Sequence, residues 1–505
     1  MFNALNVRPD HVLIVGGGIS GLAAAVQLAN AGRPLRLTLI EAADRLGGLI
    51  ATERTDGFTI EHGPDSVLAA KPAAVDLAQR VGIADRLIGV RAHGSYVAFR
   101  GRLVRLPDGM SGLVPSRPSA LVSTRLLSPQ AKVRVLLELL VRRRAAGGEE
   151  SIADFVVRRF GRETYERIAE PLLTGVFAGD GARLSLDATF PRLRALEREH
   201  GTVLRGILAE RRGAKRGTPS ASISADHIAR GSPFLSFGSG MAELPEAAAR
   251  WLAGRSRGSL AIDIRLRAPA VALLRAAEDE APVRIAMMNG EMLKADAIVL
   301  ATPAGVSARL LAPHDAVLSA LLAGIEHAST AAVSLGYPLR CVGRPLNASG
   351  YTVPRIEGRA VIACTWSSAK FSGRAPEEFA LFRVFLGGLV HAEDFAQRDD
   401  ALIACARAEL AETTAVSGEP AMVRVTRWPH AIPQYAVGHL RRCAEIEERV
   451  ALHPWLAIAG NALHGVGIPD CIRSGERAAE RILNWLETRA HARVSAAQRP
   501  LSSRS

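Results

Sequence analysis

HVLIVGGGISG, residues 11–21, and LRLTLIE, residues 35–41, set the reading of everything that follows them. Residues 11–15 are apolar throughout, the pattern of a strand covered on both faces of a parallel sheet. Gly16, Gly17, Gly18, Ile19, Ser20 and Gly21 satisfy G-x-G-x-x-G. In that pattern the first glycine makes the turn, the second lets backbone approach a pyrophosphate, and the third lets the helix pack on the strand. Residues 22–31 are Ala-rich and read as a helix that stops before Gly32. Residues 35–40 read as a second strand. Glu41 closes it, 20 positions after Gly21, where an acid accepts hydrogen bonds from ribose hydroxyls. The unit is a βαβ dinucleotide site with phosphate at the helix N-terminus. An acid at this place disfavours a 2′-phosphate, and hence NADP. Beyond it stand Ala42, then Arg45, Gly47, Gly48 and Leu49. A charge and paired glycines here offer contacts to a second stretch of a long cofactor, which favours FAD over NAD.

The bulk composition narrows the class. A chain of 505 residues, 48% hydrophobic, is too long for one core, so several lobes are expected. No uninterrupted apolar run reaches the length of a spanning helix, and the N-terminus lacks a signal-peptide pattern, so a cytoplasmic or membrane-surface location is expected. The five cysteines are scattered without a CxxC pair, and the 13 histidines show no HxxxH or HExxH spacing, so no metal site is expected. The net charge of +13 would attract a polyanion, an anionic bilayer or a carboxylate-bearing substrate. Nucleic acid is disfavoured, because only 5% of residues are aromatic and no nucleic-acid-binding motif accompanies the charge.

Further along, residues 96–106 read as a hairpin. Residues 128–144 read as one helix capped by Ser128 with Pro129 at its first position. Its Val133, Leu136, Leu137, Leu140 and Val141 form an apolar stripe flanked by Lys132, Arg134 and Arg142 to Arg144. That stripe suits either a core or a bilayer surface. Residues 213–224 read as a loop and residues 490–505 as a frayed tail. Residues 260–305 and 330–440 are strand-rich, with a helix near 399–413.

Gly57–Ser66 (GFTIEHGPDS), Pro171–Asp180 (PLLTGVFAGD), Trp428–Tyr435 (WPHAIPQY) and Gly438-His439 carry a resemblance to the porphyrinogen oxidases of the flavin amine oxidase superfamily. It continues in Ala459-Gly460-Asn461 and Gly465–Ile472 (GVGIPDCI), and spans residues 11 to 487. It implies an α/β fold: a Rossmann-type FAD-binding domain (1–90, 233–305 and 441–487), an inserted helical domain (91–232), a mixed-sheet α+β substrate domain (306–440) and a tail (488–505). It implies non-covalent FAD on Gly16 to Gly21, Glu41, Ala42, Arg45, Gly48, Leu49, His62, Gly63, Pro64, Asp65, Val271, Trp428, Asn461, Val466, Gly467 and Ile468. It places substrate against Lys71, Gly175, Val176 and Phe177. The partners it implies are a tetrapyrrole and O2, with peripheral membrane contact. No side chain is nominated as acid or base, because hydride loss from a meso carbon needs none. Some members carry an Arg where this chain has Ser95; Lys71, Arg100 and Arg102 are the nearby cations that could meet a propionate. Two other readings stay open on the residues alone. One is an amine or carotenoid oxidase of the same superfamily, and the other is a binding protein for FAD or a tetrapyrrole.

Overall fold

The computed structural model describes residues 9–107, 110–111, 113–115, 123–144, 148–214, 232–256, 258–274 and 283–497. Five parallel strands form the first sheet, in the order Leu260–Arg265, Leu35–Ile40, Asp10–Val15, Ala297–Leu300 and Leu456–Ile458. The apolar run 12–14 is wholly buried because both faces are covered. Val12 and Ile14 meet the helices Ile19–Ala29 and Ile468–Ala497. Leu13 and Val15 meet a three-stranded meander (Ala270–Leu274, Val283–Met287, Met292–Ala295) and the helix Ala304–Leu311. The N- and C-terminal helices touch without intervening side chains at one point. A Cβ added to Gly475 would stand 2.1 Å from the Ser20 carbonyl oxygen.

The second sheet is mixed and seven-stranded. Its order is Met422–Pro433, His327–Pro338, Phe379–Gly387, Val361–Trp366, Gly350–Thr352, Tyr96–Phe99 and Arg102–Arg105. Its last two strands are the expected hairpin, and they join a sheet built otherwise from residues 327–433. Helix Asp399–Thr414 covers one face through Leu402, Ala406 and Leu410, against Val333, Leu335, Phe382 and Val384. The other face carries Leu381, Arg383 and Phe385, which alternate with those residues along one strand.

A helical layer, residues 152–214, packs around Phe155, Phe160 and Leu173. Inside it Arg159 is fully buried and every guanidinium N–H has a partner. These are Glu197 (3.0 and 2.5 Å), Glu138 (2.9 Å) and the carbonyls of Val141 and Gly201 (3.1 and 3.0 Å). Arg158 and Arg194 join Glu150 and Glu197 beside it, so three cations face three carboxylates.

Three sequence expectations are corrected. The segment 128–144 is not one helix: an α-helix, Pro129–Leu136, tightens into a 3-10 turn, Leu137–Leu140, and ends extended at Val141. Ser128 does cap it, accepting from the Ala131 N–H. Its inward residues are Ala131, Val135 and Glu138, because Glu138 must reach Arg159; the apolar stripe therefore faces out. Of the frayed tail expected at 490–505, residues 490–497 continue the helix Ile468–Ala497, in which Arg489 is held by Asp296 (2.7 Å) and lies over Trp485, and residues 498–505 lie outside the described residues. Of the loop expected at 213–224, Gly213 and Ala214 end the helix Val203–Ala214, and the remainder lies outside the described residues.

Two outcomes follow from this packing. Gly475→Ala forces a Cβ onto backbone, so the N- and C-terminal helices must part; a loss of about 1–3 kcal/mol is expected in a thermal or urea melt. Glu197→Gln leaves buried guanidiniums uncompensated, and about 3–5 kcal/mol is expected to be lost. Burial raises the Glu197 carboxyl, but hydrogen bonds from Arg158 and Arg159 outweigh it and bring it down to about 2. With the folded value below the ordinary 4.5, this stabilisation is complete above pH 4.5 and disappears as pH falls toward 2. Acid titration of wild type against Glu197→Gln checks this, since the two curves should converge at low pH.

Candidate active site

The glycine turn is built by contacts that exclude side chains. Gly16, at φ +105°, donates its N–H to the Ile40 carbonyl (2.8 Å), and a Cβ there would meet the Ala301 carbonyl at 2.5 Å. A Cβ on Gly21 would sit 1.9 Å from the Gly16 carbonyl oxygen, so only glycine lets the helix begin against the strand. The helix starts at Ile19 and Ser20 behind Gly18, with no side-chain cap and no acid in its first turn, leaving its N–H groups for an anion. Glu41 accepts from the N–H of Gly17 (2.7 Å) and of Ala43 (2.8 Å), which fixes its carboxylate at the mouth of the turn.

A second glycine turn approaches the first: Gly18 bridges Gly47, and a Cβ on Gly48 would lie 3.1 Å from the Gly18 Cα. Arg45 holds this second turn. Its guanidinium donates to the carbonyls of Leu46 (3.2 Å), Gly48 (2.6 Å) and Ile50 (3.2 Å). Its donors thus go to its own loop, where the sequence had suggested a charge offered outward. Ala42 and Leu49 are exposed beside it. The Glu41 and Ala43 carbonyls accept from the N–H of Ala268 and Arg267 (2.9 and 2.8 Å). Those bonds bring strand Ala270–Leu274 alongside, with half-exposed Val271 in its bulge.

At the far end of the groove, His62, Gly63, Pro64 and Asp65 leave the strand Phe58–Glu61. A Cβ on Gly63 would meet the Leu49 carbonyl at 1.9 Å, so this segment runs tight against the second turn. The Trp428 indole N–H donates to the His62 carbonyl (2.7 Å), while the His62 ring meets Thr426 (2.6 Å) and Glu53 (2.9 Å). Both Asp65 oxygens accept from the Lys370 ammonium at 2.8 Å. Burial alone would raise that carboxyl, but Lys370 and then Arg383 hold it down at about 2.

Tyr435 links this end to the helical layer. Its hydroxyl donates to the Asn461 carbonyl and accepts from the Gly465 N–H (2.8 Å). Its ring lies 6.4 Å from that of Phe177 and stacks on His439 at 4.1 Å. Burial pushes the phenol well above its ordinary range. Val466 packs against the core containing Phe177, and Gly467 precedes Ile468, the first residue of the C-terminal helix. Lys71 is brought to that helix but lies on both oxygens of Asp470 (2.7 Å), so its charge is already matched.

Gly175, Val176 and Phe177 end the helix Glu170–Phe177, whose Phe177 carbonyl accepts from the Gln434 amide (2.8 Å). Val176 is exposed, and Gly175 faces Thr352. Nearby, Ala178, Ala328 and Ile362 form an apolar wall with half-buried Phe385, Leu389 and Ile432. Gln434 Oε1 and Thr352 Oγ1 are buried beside this helix end with no hydrogen-bond partner. The sequence reading did not single out Phe385, Ile362, Lys370 or Arg383. Their one signal was Arg383 itself, a charge inside the apolar run FALFRVFLG at residues 379–387.

The backbone cradle at Gly17, Gly18 and Gly48, the uncapped helix start and the carboxylate at Glu41 fit a dinucleotide with its pyrophosphate between the two turns. Comparison with known proteins agrees. The flavin-containing amine oxidoreductase family matches residues 19–483. The coproporphyrinogen III oxidase of Propionibacterium freudenreichii subsp. freudenreichii is 35% identical, over 94% of this chain and 91% of that protein. That of Bacillus subtilis (strain 168) is 31% identical, over 94% of this chain and 98% of that protein. A crystal structure of a protein from Exiguobacterium sp. 255-15, 30% identical, superposes with a TM-score of 0.80, covering 95% of this chain and 99% of the other. The chain therefore belongs to the flavin-containing amine oxidoreductases, with FAD as cofactor, and within them to the porphyrinogen oxidase family whose motifs it carries.

Proposed function

We propose that this protein is an FAD-dependent, oxygen-dependent porphyrinogen oxidase. It removes six electrons from coproporphyrinogen III or protoporphyrinogen IX and forms the porphyrin in haem-type synthesis. The observation that carries this is Tyr435, which ties the Asn461–Gly465 turn, on the cofactor side, to Phe177 at the apolar wall. FAD, when bound, supplies a two-electron acceptor that oxygen restores with release of hydrogen peroxide. The residues we assign to hold it are Gly16 to Gly21, Glu41, Ala42, Gly48, Leu49, His62 to Asp65, Val271, Trp428, Asn461 and Val466 to Ile468. Arg45 then acts through its loop.

The wall of Ala178, Ile362 and Phe385, with Gly175 to Phe177, orients the macrocycle. A flat apolar surface holds a meso carbon at attack distance and keeps water away from it. Hydride loss from that carbon leaves a cation that the adjacent pyrroles stabilise, and a pyrrole N–H proton is then released to water, so no side chain has to give or take a proton. Successive two-electron steps require the partly oxidised ring to stay or to rebind in a new orientation, which apolar contacts permit.

Contact with a membrane surface belongs to the same proposal. No described helix is long and apolar enough to cross a membrane. Yet Val133, Leu136, Leu137 and Leu140, spaced by three and four, are 55%, 49%, 45% and 75% exposed on one side of a short helix. Exposed Arg142 and Arg143 follow them. An apolar stripe with neighbouring arginines suits the surface of an anionic bilayer.

Purified yellow protein, mixed anaerobically with either porphyrinogen and then with air, should develop porphyrin fluorescence with peroxide release. Turnover of a polyamine and neither porphyrinogen would defeat the reading. On anionic vesicles, co-sedimentation should drop when Leu136, Leu137 and Leu140 become Ser, and should weaken with salt. Equal pelleting of wild type and variant would discard the membrane contact alone.

A further inference from the structure

Five charged side chains, three buried (Glu61, Arg374, Arg383) and two half-buried (Asp65, Lys370), gather where the strand Phe379–Gly387 meets residues 61–65. Lys370 pairs with Asp65 at 2.8 Å, and Arg374 with Glu61 at 3.2 Å. Arg383 is left over. It is 4% exposed, its Nε has no hydrogen-bond partner, and among the described residues it forms no ion pair. Its guanidinium lies beside a stacked ring pair, 4.9 Å from the centroid of Phe385 and 5.1 Å from that of Trp428. Desolvation lowers its proton affinity, opposed by Asp65 and Glu61, so nearby carboxylates attract it without bonding to it. A buried guanidinium with an unpaired N–H is costly, whereas every donor of Arg159 in this chain is satisfied.

Arg383 shares a strand face with Phe385, two residues on, and Phe385 belongs to the apolar wall with Ala178, Ala328 and Ile362. A buried cation thus adjoins this wall, while Val176, two residues before Ala178, is exposed. We propose that Arg383 binds a carboxylate of the substrate and selects the tetrapyrrole that carries a propionate on every pyrrole. This rests on the porphyrinogen oxidase reading and deepens it.

The selection is geometric. Protoporphyrinogen IX carries its two propionates on adjacent pyrroles and vinyls on the opposite edge. Entering an apolar site, it keeps the propionates in water and sends vinyls inward, where they leave the guanidinium unmatched. Coproporphyrinogen III carries a propionate on each pyrrole, so whichever edge enters brings a carboxylate to Arg383. A planar guanidinium can bind it with two parallel hydrogen bonds, which an ammonium cannot reproduce.

The test uses the holoenzyme and compares wild type with Arg383→Thr and Arg383→Lys. Flavin content and a thermal melt are recorded first. Binding of coproporphyrin III and of protoporphyrin IX is then followed by fluorescence quenching, and kcat/KM is measured with the two porphyrinogens. Arg383→Thr should lose about 10- to 100-fold in coproporphyrin III affinity, the range of one charge-assisted hydrogen-bonded pair. Protoporphyrin IX binding should stay unchanged or improve, and Arg383→Lys should recover part of the loss. If Arg383→Thr does not fold, Arg383→Lys alone decides, since it must lower coproporphyrin III binding selectively. Equal losses on both porphyrins, or a loss explained by missing flavin, would overturn the assignment. A yellow wild type that oxidises neither porphyrinogen would instead overturn the parent reading, and this inference with it.

Discussion

The contact of Gly475 on the Ser20 carbonyl, which no side chain could share, brings the chain's end onto its beginning. The N-terminal turn presents N–H groups and the C-terminal turn presents Gly465 to Ile468, and neither makes a cofactor site by itself. Helix Ile468–Ala497 lies along helix Ile19–Ala29, and the last strand, Leu456–Ile458, closes the sheet that Asp10–Val15 opened. The intervening chain builds a second sheet and a helical layer. That is tolerable because the entropy of closing a long loop grows only with the logarithm of its length. Glycine at 475, at 21 and at 16 solves one problem three times, the approach of backbone to backbone where a Cβ would fall within 2.5 Å of a carbonyl oxygen.

Buried charge follows a different rule in each half of the molecule. Arg159, Glu138 and Glu197 are matched group for group, and they join the helices of one layer. Around Asp65 the same chemistry joins two layers, with Lys370 on Asp65 and Arg374 on Glu61 bridging the second sheet and the strand Phe58–Glu61. The layers can thus be positioned by two balanced pairs. Arg383 forms no ion pair among the described residues, although Asp65 and Glu61 lie near enough to attract it, and its guanidinium touches two aromatic rings.

The sequence made the first sheet legible because its signals are local. An apolar run, three obligatory glycines and an acid at a fixed distance leave few alternatives. The helix Asp399–Thr414 and the hairpin at Tyr96–Arg105 were legible for the same reason. The segment after Ser128 was misread as one helix because periodicity reports an apolar stripe without saying which way it faces. Glu138, an acid in an apolar stretch, was the residue that turned the stripe outward. Residues 490–497, expected to fray, continue the helix, and one ion pair that holds it, Arg489 with Asp296, was invisible without the fold. At the site, motifs located the turns and the helix end at Phe177. The proposed wall was missed because Ala328, Ile362, Phe385 and Ile432 are ordinary strand residues until four strands lie side by side. Arg45 and Lys71 were read as charges offered outward; only coordinates reveal that carbonyls and Asp470 already occupy them.

Those two side chains separate attraction from recognition. The chain carries 63 basic and 50 acidic residues, yet around the groove Arg45, Lys71, Lys370 and Arg374 are each engaged by carbonyls or carboxylates. The surplus positive field therefore arises largely elsewhere, on exposed arginines whose influence decays over about 8 Å at physiological salt. Such a field gathers any polycarboxylate and distinguishes none. A buried guanidinium beside the stacked rings of Phe385 and Trp428 is little screened, and it acts only on a carboxylate that has already shed its water. Discrimination must then come from which edge of a macrocycle can bring such a group inside, a matter of covalent substitution pattern that net charge cannot mimic.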